Sequence, residues 1–306
     1  MFLIGIDEAG YGPSLGPLCH GVAAFAVPGN DPKPPDLYAL LHPLVQRFPP
    51  DPPTALCVDD SKKVYTGLGL EGLAMAVSSF GALNLPAEDL TALTHDPWGH
   101  GLEMPSSAIQ TRAVSEKLAS NSVQLVLLAA RALSARGFNA RLAELGAEKN
   151  KADLNWERAA TCLRQALEAC SAHSTPNEPF FISIDRQGGR KFYLGPLSEF
   201  FNGAFVQTLE ETSSCSAYAL EWNGHPLRIE FRTESESQNL PVALASMAAK
   251  LTRELCMERF NAYFLSRQPD LKPTAGYPQD AKRFLKDIKK LRQEPGHEDA
   301  VLIRKK

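Results

Sequence analysis

The chain of 306 residues is long enough to bury a substantial core, with an apolar fraction of 44% and a charged fraction of 22%. No run approaches the roughly 18–20 apolar residues of a membrane helix, and the start lacks the basic segment of a secretory signal. These features exclude a membrane protein and disfavour export. The six cysteines have no metal-type spacing, which indicates reduced thiols in a cytoplasmic protein.

The charge is distributed unevenly along the chain. The formal net charge is −3, but residues 271–306 hold ten Lys or Arg against five acids, a local excess of +5, so the rest carries −8. A basic segment on an acidic body suits a polyanion such as a nucleic acid. A solvated helix face would give the same local charge.

The first third of the chain begins with predicted strands. Residues 2–7 and 21–28 form apolar runs joined by a segment rich in Gly and Pro, which predicts two buried strands and a turn. Residues 54–58 predict a third strand. Helical spacing of apolar residues then predicts a helix from about 106 to 136.

The second half mixes strands and helices. We expect a helix over 155–171 and a short strand over 180–185 that ends in an acid. Asn223 and Gly224 separate two strand-like segments and predict a hairpin, because both residues tolerate positive φ. Helices are expected over 237–266 and 280–292. The order of elements predicts an α/β or α+β domain with a helical insertion near 67–150.

The stretch GIDEAGYGPSLGP near the start places Asp7 and Glu8 at the end of the first predicted strand. Its glycines also match a dinucleotide-binding turn, but that site requires a helix to begin there, with its N-terminus on the pyrophosphate. Pro13, Pro17 and the strand-like segment that follows disfavour this interpretation. Two carboxylates beside a phosphate would also repel it.

A metal site is the alternative for these acids, and it requires further acids on other elements. Asp185 closes an apolar strand, and Glu234 or Glu236 lies just before a long helical pattern. If these carboxylates converged at one sheet edge, they would form an oxygen site suited to Mg²⁺ or Mn²⁺. Each acid alone is more often structural, and spacing does not establish convergence.

Five segments together resemble the type 2 ribonuclease H family, which comprises ribonuclease HII and ribonuclease HIII. They occur in the family's order and span most of the chain: GIDEAGYGPSLGPL at 5–18, DSKKV at 60–64, ISID at 182–185, ASMAAKLTRE at 245–254 and AGYP at 275–278. The resemblance implies an α/β fold with a ribonuclease H-like mixed sheet flanked by helices. We expect a catalytic core over 1–236, including the helical insertion at about 67–150, and a helical C-terminal region over 237–306 that completes the substrate cleft.

The resemblance also implies a function and a site. It implies an endoribonuclease that cleaves the RNA strand of RNA–DNA hybrids, or ribonucleotides in duplex DNA, with two Mg²⁺ or Mn²⁺ ions. The sequence does not give the oligomeric state, and a monomer is favoured. The implied metal ligands and catalytic acids are Asp7, Glu8, Asp185 and Glu236. The implied substrate contacts are a loop that reads the 2′-hydroxyl, two residues that hold backbone phosphate and a tyrosine that packs on the neighbouring sugar, namely Gly10, Tyr11, Gly12, Ser61, Lys62 and Tyr277.

The chain departs from the family pattern at several points. Tyr11 stands where the family usually has arginine, which removes a charged phosphate contact. Glu236 stands where ribonuclease HII usually has Asp and ribonuclease HIII has Glu. The insertion at about 67–150 is longer than the family norm. These departures leave two alternatives open: a ribonuclease H-like protein that binds nucleic acid without cutting it, and a metal-dependent nuclease with a different nucleic-acid substrate.

Overall fold

The computed structural model describes residues 1–29, 31–105, 110–188, 190–235 and 238–305. The strands are β1 (Phe2–Ala9), β2 (Leu18–Ala26), β3 (Val45–Gln46), β4 (Leu56–Cys57), β5 (Gln124–Leu133), β6 (Phe180–Asp185), β7 (Gln207–Glu211), β8 (Cys215–Trp222) and β9 (His225–Arg232). The helices are α1 (Leu37–Leu41), α2 (Ser61–Phe80), α3 (Ala87–Thr94), α4 (Thr111–Ser120), α5 (Ala135–Leu145), α6 (Lys151–Ser171), α7 (Leu194–Phe200), α8 (Leu240–Arg267), α9 (Pro278–Asp287) and α10 (Asp299–Leu302).

Seven of these strands form one mixed sheet in the order β5-β2-β1-β6-β9-β8-β7. The pairs β5–β2 and β2–β1 on one side, and β9–β8 and β8–β7 on the other, are antiparallel. The central pairs β1–β6 and β6–β9 are parallel. Strands β3 and β4 form a separate parallel pair.

Helices cover both faces of the sheet, and the side chains that alternate along β1 pack against both of these layers. Leu3 joins a core with α2, α4 and α8, whereas Phe2, Ile4 and Ile6 join a core with α6 on the opposite face. The interface with α8 is very close: a Cβ at Gly5 would lie 2.1 Å from a backbone carbon of α8. Glycine there lets the helix rest directly on the strand.

A third core connects the second half of α8 to the last helices of the chain. Phe260 and Phe264 pack there with Phe284 of α9 and Leu302 of α10, and Leu15 from the loop between β1 and β2 also belongs to it. The loop near the start of the chain is therefore packed against residues from its last part.

The predicted α/β class, a mixed sheet flanked by helices, is confirmed. The predicted strands over 2–7, 21–28 and 180–185 are present, and so is the hairpin, with φ of 50° at Asn223 and 78° at Gly224. The strand predicted over 54–58 survives only as Leu56–Cys57, outside the main sheet.

The helix predicted over 106–136 is wrong in its second half. Residues 106–109 lie outside the described residues, and α4 ends at Ser120. Gln124–Leu133 is strand β5, an outer strand of the main sheet. The expected insertion at 67–150 is therefore not wholly helical, because part of it completes the sheet.

None of the helices within the described ranges combines the length and apolarity needed to cross a bilayer.

Candidate active site

Two of the predicted acids end neighbouring parallel strands. The last paired residues of β1 and β6 are Ile6 and Ile184, and Asp7 and Asp185 come directly after them at the same edge of the sheet. Asp7 is 6% exposed, and its Oδ1 accepts a hydrogen bond from the Glu8 backbone N–H at 2.6 Å. The Ser235 N–H donates to Asp185 Oδ1 at 3.3 Å. The strand pairing thus brings these carboxylates together from positions far apart in sequence.

A cleft of about 280 Å³ opens at this edge of the sheet. It brings together nine of the ten residues predicted for the site; the tenth, Glu236, lies outside the described residues. The lining comprises three of the predicted acids, part of the loop between β1 and β2 (residues 10–17, the glycine loop), the start of α2, one face of α8 and the tyrosine before α9. These residues are Asp7, Glu8, Ala9, Gly10, Tyr11, Gly12, Pro13, Asp60, Ser61, Lys62, Asp185, Ser246, Lys250, Arg253 and Tyr277.

The glycine loop follows β1 directly and leads into β2, so no helix begins there. Gly10 has φ of +89°, and a Cβ at this position would lie 2.7 Å from the Arg253 side chain and from the Pro17 carbonyl oxygen. Gly12 has no such restriction, since a Cβ there would meet only the Tyr277 ring, at 4.0 Å. The first glycine is thus required by the backbone, whereas the second leaves space facing the tyrosine.

The start of α2 forms one rim of the cleft. Asp60 caps the helix and accepts from the backbone N–H groups of Lys62 at 2.7 Å and Lys63 at 3.2 Å. Ser61 is buried, and its Oγ accepts a hydrogen bond from Ser246 Oγ at 3.0 Å. The Lys62 side chain is exposed. Of the two predicted phosphate contacts, the lysine is accessible at the rim, whereas the serine ties α2 to α8.

Helix α8 supplies three cleft residues that the sequence interpretation missed: Ser246, Lys250 and Arg253. Their i, i+4, i+7 spacing places them on one helix face, and this spacing inside the ASMAAKLTRE segment is the signal that could have identified them. Lys250 Nζ lies 2.7 Å from Glu254 Oε1. Arg253 is 2% exposed, also contacts Glu254, and donates to the Ala275 carbonyl oxygen at 2.9 Å.

A buried arginine from the end of the described chain holds the glycine loop from beneath. Arg304 Nη2 donates to the carbonyl oxygens of Gly10, at 2.5 Å, and of Pro13, and the Arg304 backbone N–H donates to the Ser14 carbonyl oxygen. Burial, together with the neighbouring Arg253 charge, lowers the pKa of Arg304 to about 10. Sequence patterns gave no sign of this contact.

Tyr277 forms an exposed side of the cleft that faces Gly12 of the glycine loop. Its side chain is 50% exposed, and it immediately precedes α9. The adjacent Gly276, with φ of +83°, accepts hydrogen bonds through its carbonyl oxygen from the N–H groups of Ser14 at 2.8 Å and Leu15 at 3.2 Å. The loop that carries Tyr277 is therefore joined to the loop that carries Gly10 and Gly12.

The donor set agrees in chemical type with a hard divalent cation. Asp7, Glu8 and Asp185 offer carboxylate oxygens in one cleft, the ligands that Mg²⁺ and Mn²⁺ prefer. Within the described ranges, no group of three or more His, Cys, Asp or Glu is arranged closely enough to hold a metal ion as it stands. These three acids are thus suitable ligands that do not form a closed coordination shell by themselves.

No protein-family model matches the sequence, and no curated protein matches it. Among solved structures, the chain is similar to one in the complex of PCNA and RNase HII from Archaeoglobus fulgidus, with 16% identity over 99% of this chain and 94% of that chain, at a TM-score of 0.43. It is also similar to ribonuclease H2 from Pyrococcus horikoshii OT3, with 15% identity over 98% of this chain and 97% of that chain, at a TM-score of 0.41. A mutant protein of Bst-RNase HIII matches with 17% identity over 99% of this chain and 65% of that chain, at a TM-score of 0.47.

The similar structures are RNase HII and RNase HIII proteins, the two groups that the sequence motifs resemble. Their identities to this chain lie between 12% and 17%. At this level the similarity assigns no activity, so the chemistry has to be argued from the cleft.

Proposed function

We propose that this chain is a metal-dependent endoribonuclease that cleaves the RNA strand of RNA–DNA hybrids, or ribonucleotides in duplex DNA, by phosphodiester hydrolysis. The observation that supports this most is the single cleft in which three carboxylates meet a glycine loop, a lysine and a half-exposed tyrosine. Such a cleft combines ligands for divalent cations with groups that can contact a sugar and a phosphate.

The proposed cofactor is a pair of Mg²⁺ or Mn²⁺ ions. Asp7, Glu8 and Asp185 would hold them, and we propose Glu236 as a further ligand. When bound, such ions lower the pKa of the attacking water and stabilise the leaving oxygen. The protein's contribution is to hold carboxylates from two adjacent strands at one edge of a rigid sheet.

The remaining cleft residues would select and orient the substrate. Gly10 and Gly12 allow the backbone of the loop to approach a minor groove, where 2′-hydroxyls distinguish RNA from DNA. Tyr277 offers a half-exposed ring for the neighbouring sugar. Lys62, exposed at the start of α2, is placed to meet a backbone phosphate.

The proposed setting is the reducing cytoplasm, with the chain acting as a monomer. All six cysteines lie in described ranges and are buried free thiols. Burial raises the pKa of Cys170 and Cys256 to about 12, which keeps them protonated and unreactive.

Cleavage of two labelled duplexes tests the proposal: one contains a single ribonucleotide in DNA and the other a tract of four. Each is incubated with Mg²⁺ and with Mn²⁺, using the unmodified chain, Asp7→Asn, Asp185→Asn and the control Asp31→Asn. Asp31 is an exposed loop acid outside the cleft. We expect cutting at the ribonucleotides by the unmodified chain and the control, and its loss in both cleft variants.

Other outcomes would overturn the proposal in distinct ways. Full activity in both cleft variants would refute the assigned acids. Tight binding of the hybrid without its cleavage, in either Mg²⁺ or Mn²⁺, would favour a non-catalytic nucleic-acid-binding protein. Cutting of an all-DNA or all-RNA duplex in preference to both test duplexes would favour a nuclease with a different substrate.

A further inference from the structure

Lys151 places a positive charge beside the acidic cleft. Its Nζ lies 4.7 Å from the centre of the Tyr11 ring, and Tyr11 lines the cleft next to the acids. The nearest acid along its helix, Asp153, is engaged elsewhere, with Oδ1 2.9 Å from Arg190 Nη2. The lysine charge is therefore directed toward the tyrosine rather than neutralised by that acid.

The backbone that presents Lys151 is fixed. Lys151 is the first residue of α6, and Asn150 caps this helix by accepting from the Ala152 N–H at 2.8 Å. The Asp153 carboxylate in turn accepts from the Asn150 N–H at 3.0 Å, which completes a capping box. Arg190, in the segment after β6, donates a hydrogen bond to Asp153 and so joins this capped end of α6 to the segment after β6.

Tyr11 is held as firmly as the lysine. The Gly188 backbone contacts its ring so closely that a Cβ at 188 would lie 2.7 Å from Tyr11 Cε1. Burial raises the pKa of Tyr11, and the charge of Glu8 adds to the rise, so the phenol keeps its proton near neutral pH. A protonated phenol beside an ammonium group offers two hydrogen-bond donors to one anion.

We propose that Lys151 and Tyr11 together bind one phosphate of the nucleic-acid strand that enters the cleft. This inference rests on the proposed function and adds a phosphate contact beside Tyr11, from the start of α6, in addition to Lys62 at the start of α2. A polyanion has to approach a cleft lined by four carboxylates, Asp7, Glu8, Asp60 and Asp185. A nearby cation offsets their repulsion, and its contact with a phosphate also releases counterions from the nucleic acid.

Equilibrium binding of an RNA–DNA hybrid, measured in EDTA at several salt concentrations, tests this without any cleavage. We expect Lys151→Gln to reduce the slope of log K against log salt by about 0.7–0.9 and to raise Kd by roughly fivefold to tenfold near ~0.1 M salt, the effect of one lost phosphate contact. Lys149→Gln is the matched control, an exposed lysine two positions earlier in the loop before α6; it should leave the slope unchanged.

Tyr11→Phe provides a second readout. Losing one hydrogen bond from an uncharged donor should raise Kd by a smaller factor, about twofold to fivefold, without altering the salt slope. In the double variant the two effects should be less than additive, because both groups contact the same phosphate. Thermal unfolding of each variant checks that the fold is retained.

Two results would contradict the inference, and they are separable from failure of the proposed function. Equal salt slopes for Lys151→Gln and Lys149→Gln would remove Lys151 from phosphate binding while leaving the nuclease proposal intact. Strict additivity in the double variant would separate Tyr11 from Lys151. Absence of both binding and cutting of the hybrid by the unmodified chain with Mg²⁺ and with Mn²⁺ would instead refute the proposed function.

Discussion

Asp7 and Asp89 are two carboxylates with the same exposure, 6%, in different parts of the fold. Asp89, on α3, accepts hydrogen bonds from Arg131 Nε and Nη2 at 3.0 Å each and from the Ala132 N–H at 2.8 Å. Asp7 shares its cleft with three further acids, Glu8, Asp60 and Asp185, and with the cations Lys62, Lys250 and Arg253. Burial alone therefore does not distinguish a structural acid from a functional one.

The difference lies in what each carboxylate faces. Cationic donors around Asp89 balance its charge, which is how a folded protein tolerates a buried ion. A group of carboxylates at the mouth of a cleft concentrates negative charge and is stabilised when a cation binds. On this comparison Asp89 supports the fold, whereas for Asp7 we propose a role in the chemistry.

The largest effect is expected from Asp7→Asn. Removing one charge from the proposed metal ligands should reduce hybrid cleavage by about a thousandfold or more, equivalent to about 4 kcal/mol of transition-state stabilisation. The free energy of unfolding should stay the same or rise, because repulsion among the acids is relieved. Cleavage assays and urea unfolding measure the two quantities. A large loss of stability would instead place Asp7 with Asp89.

Asp89→Asn should have the opposite profile. Removing the buried charge that Arg131 and Arg158 both contact should lower the free energy of unfolding by about 3 kcal/mol, although Arg131 keeps its ion pair with Glu88. Cleavage per folded molecule should change little, since Asp89 lies outside the cleft. Unfolding curves and activity below the unfolding transition test this. Normal stability with lost activity would refute the contrast.

His20 on β2 lies between the two regions. In the register of the sheet it stands opposite Glu8 on β1 and opposite Arg131 on β5. Burial, with a contribution from the Arg158 charge, lowers its pKa from 6.5 to about 3. The unfolded chain therefore binds a proton near pH 6.5 that the folded chain accepts only near pH 3, so stability falls as pH falls through this range. From pH 7 to pH 5 this loss should be about 2 kcal/mol.

The variant His20→Gln should lack this part of the pH dependence. Urea unfolding at pH 7, 6 and 5 compares the two proteins, and their curves of stability against pH should diverge by the amount given above. Parallel curves would mean that folding does not lower the pKa of His20.

The smallest effects compare the two glycines of the loop. Gly10→Ala forces a side chain into positive φ and against Arg253, which should cost about 1–2 kcal/mol of stability and impair cleavage. Gly12→Ala should change stability by less than about 0.5 kcal/mol. It should weaken hybrid binding only moderately by narrowing the space beside Tyr277. Equal stability losses would contradict the assignment of backbone strain to Gly10 alone.

Local patterns predicted the elements that carry the acids. The apolar runs that end in Asp7 and Asp185 are strands β1 and β6, and the Asn223-Gly224 turn joins β8 to β9. These predictions succeeded because strand length, terminal acids and turn chemistry are all encoded within a few residues.

Strand β5 could not be predicted in the same way. Gln124–Leu133 reads QLVLLAARAL, rich in leucine and alanine, which favour helices, and without clear alternation. Its conformation follows from pairing with β2, a contact between residues about a hundred positions apart. Lys151 and Arg304 were missed for the same reason, since only tertiary packing places them beside Tyr11 and Gly10.

The contact between Arg304 and Gly10 joins residues 294 positions apart. During synthesis, the glycine loop therefore leaves the ribosome long before the arginine that clamps it. The sheet edge that carries Asp7 also waits for β6, so neither the acids nor the loop are in place until both later segments have been made. The cleft is thus completed only after Arg304 has been made, and a nascent chain that has not yet reached Arg304 lacks the clamp on its glycine loop.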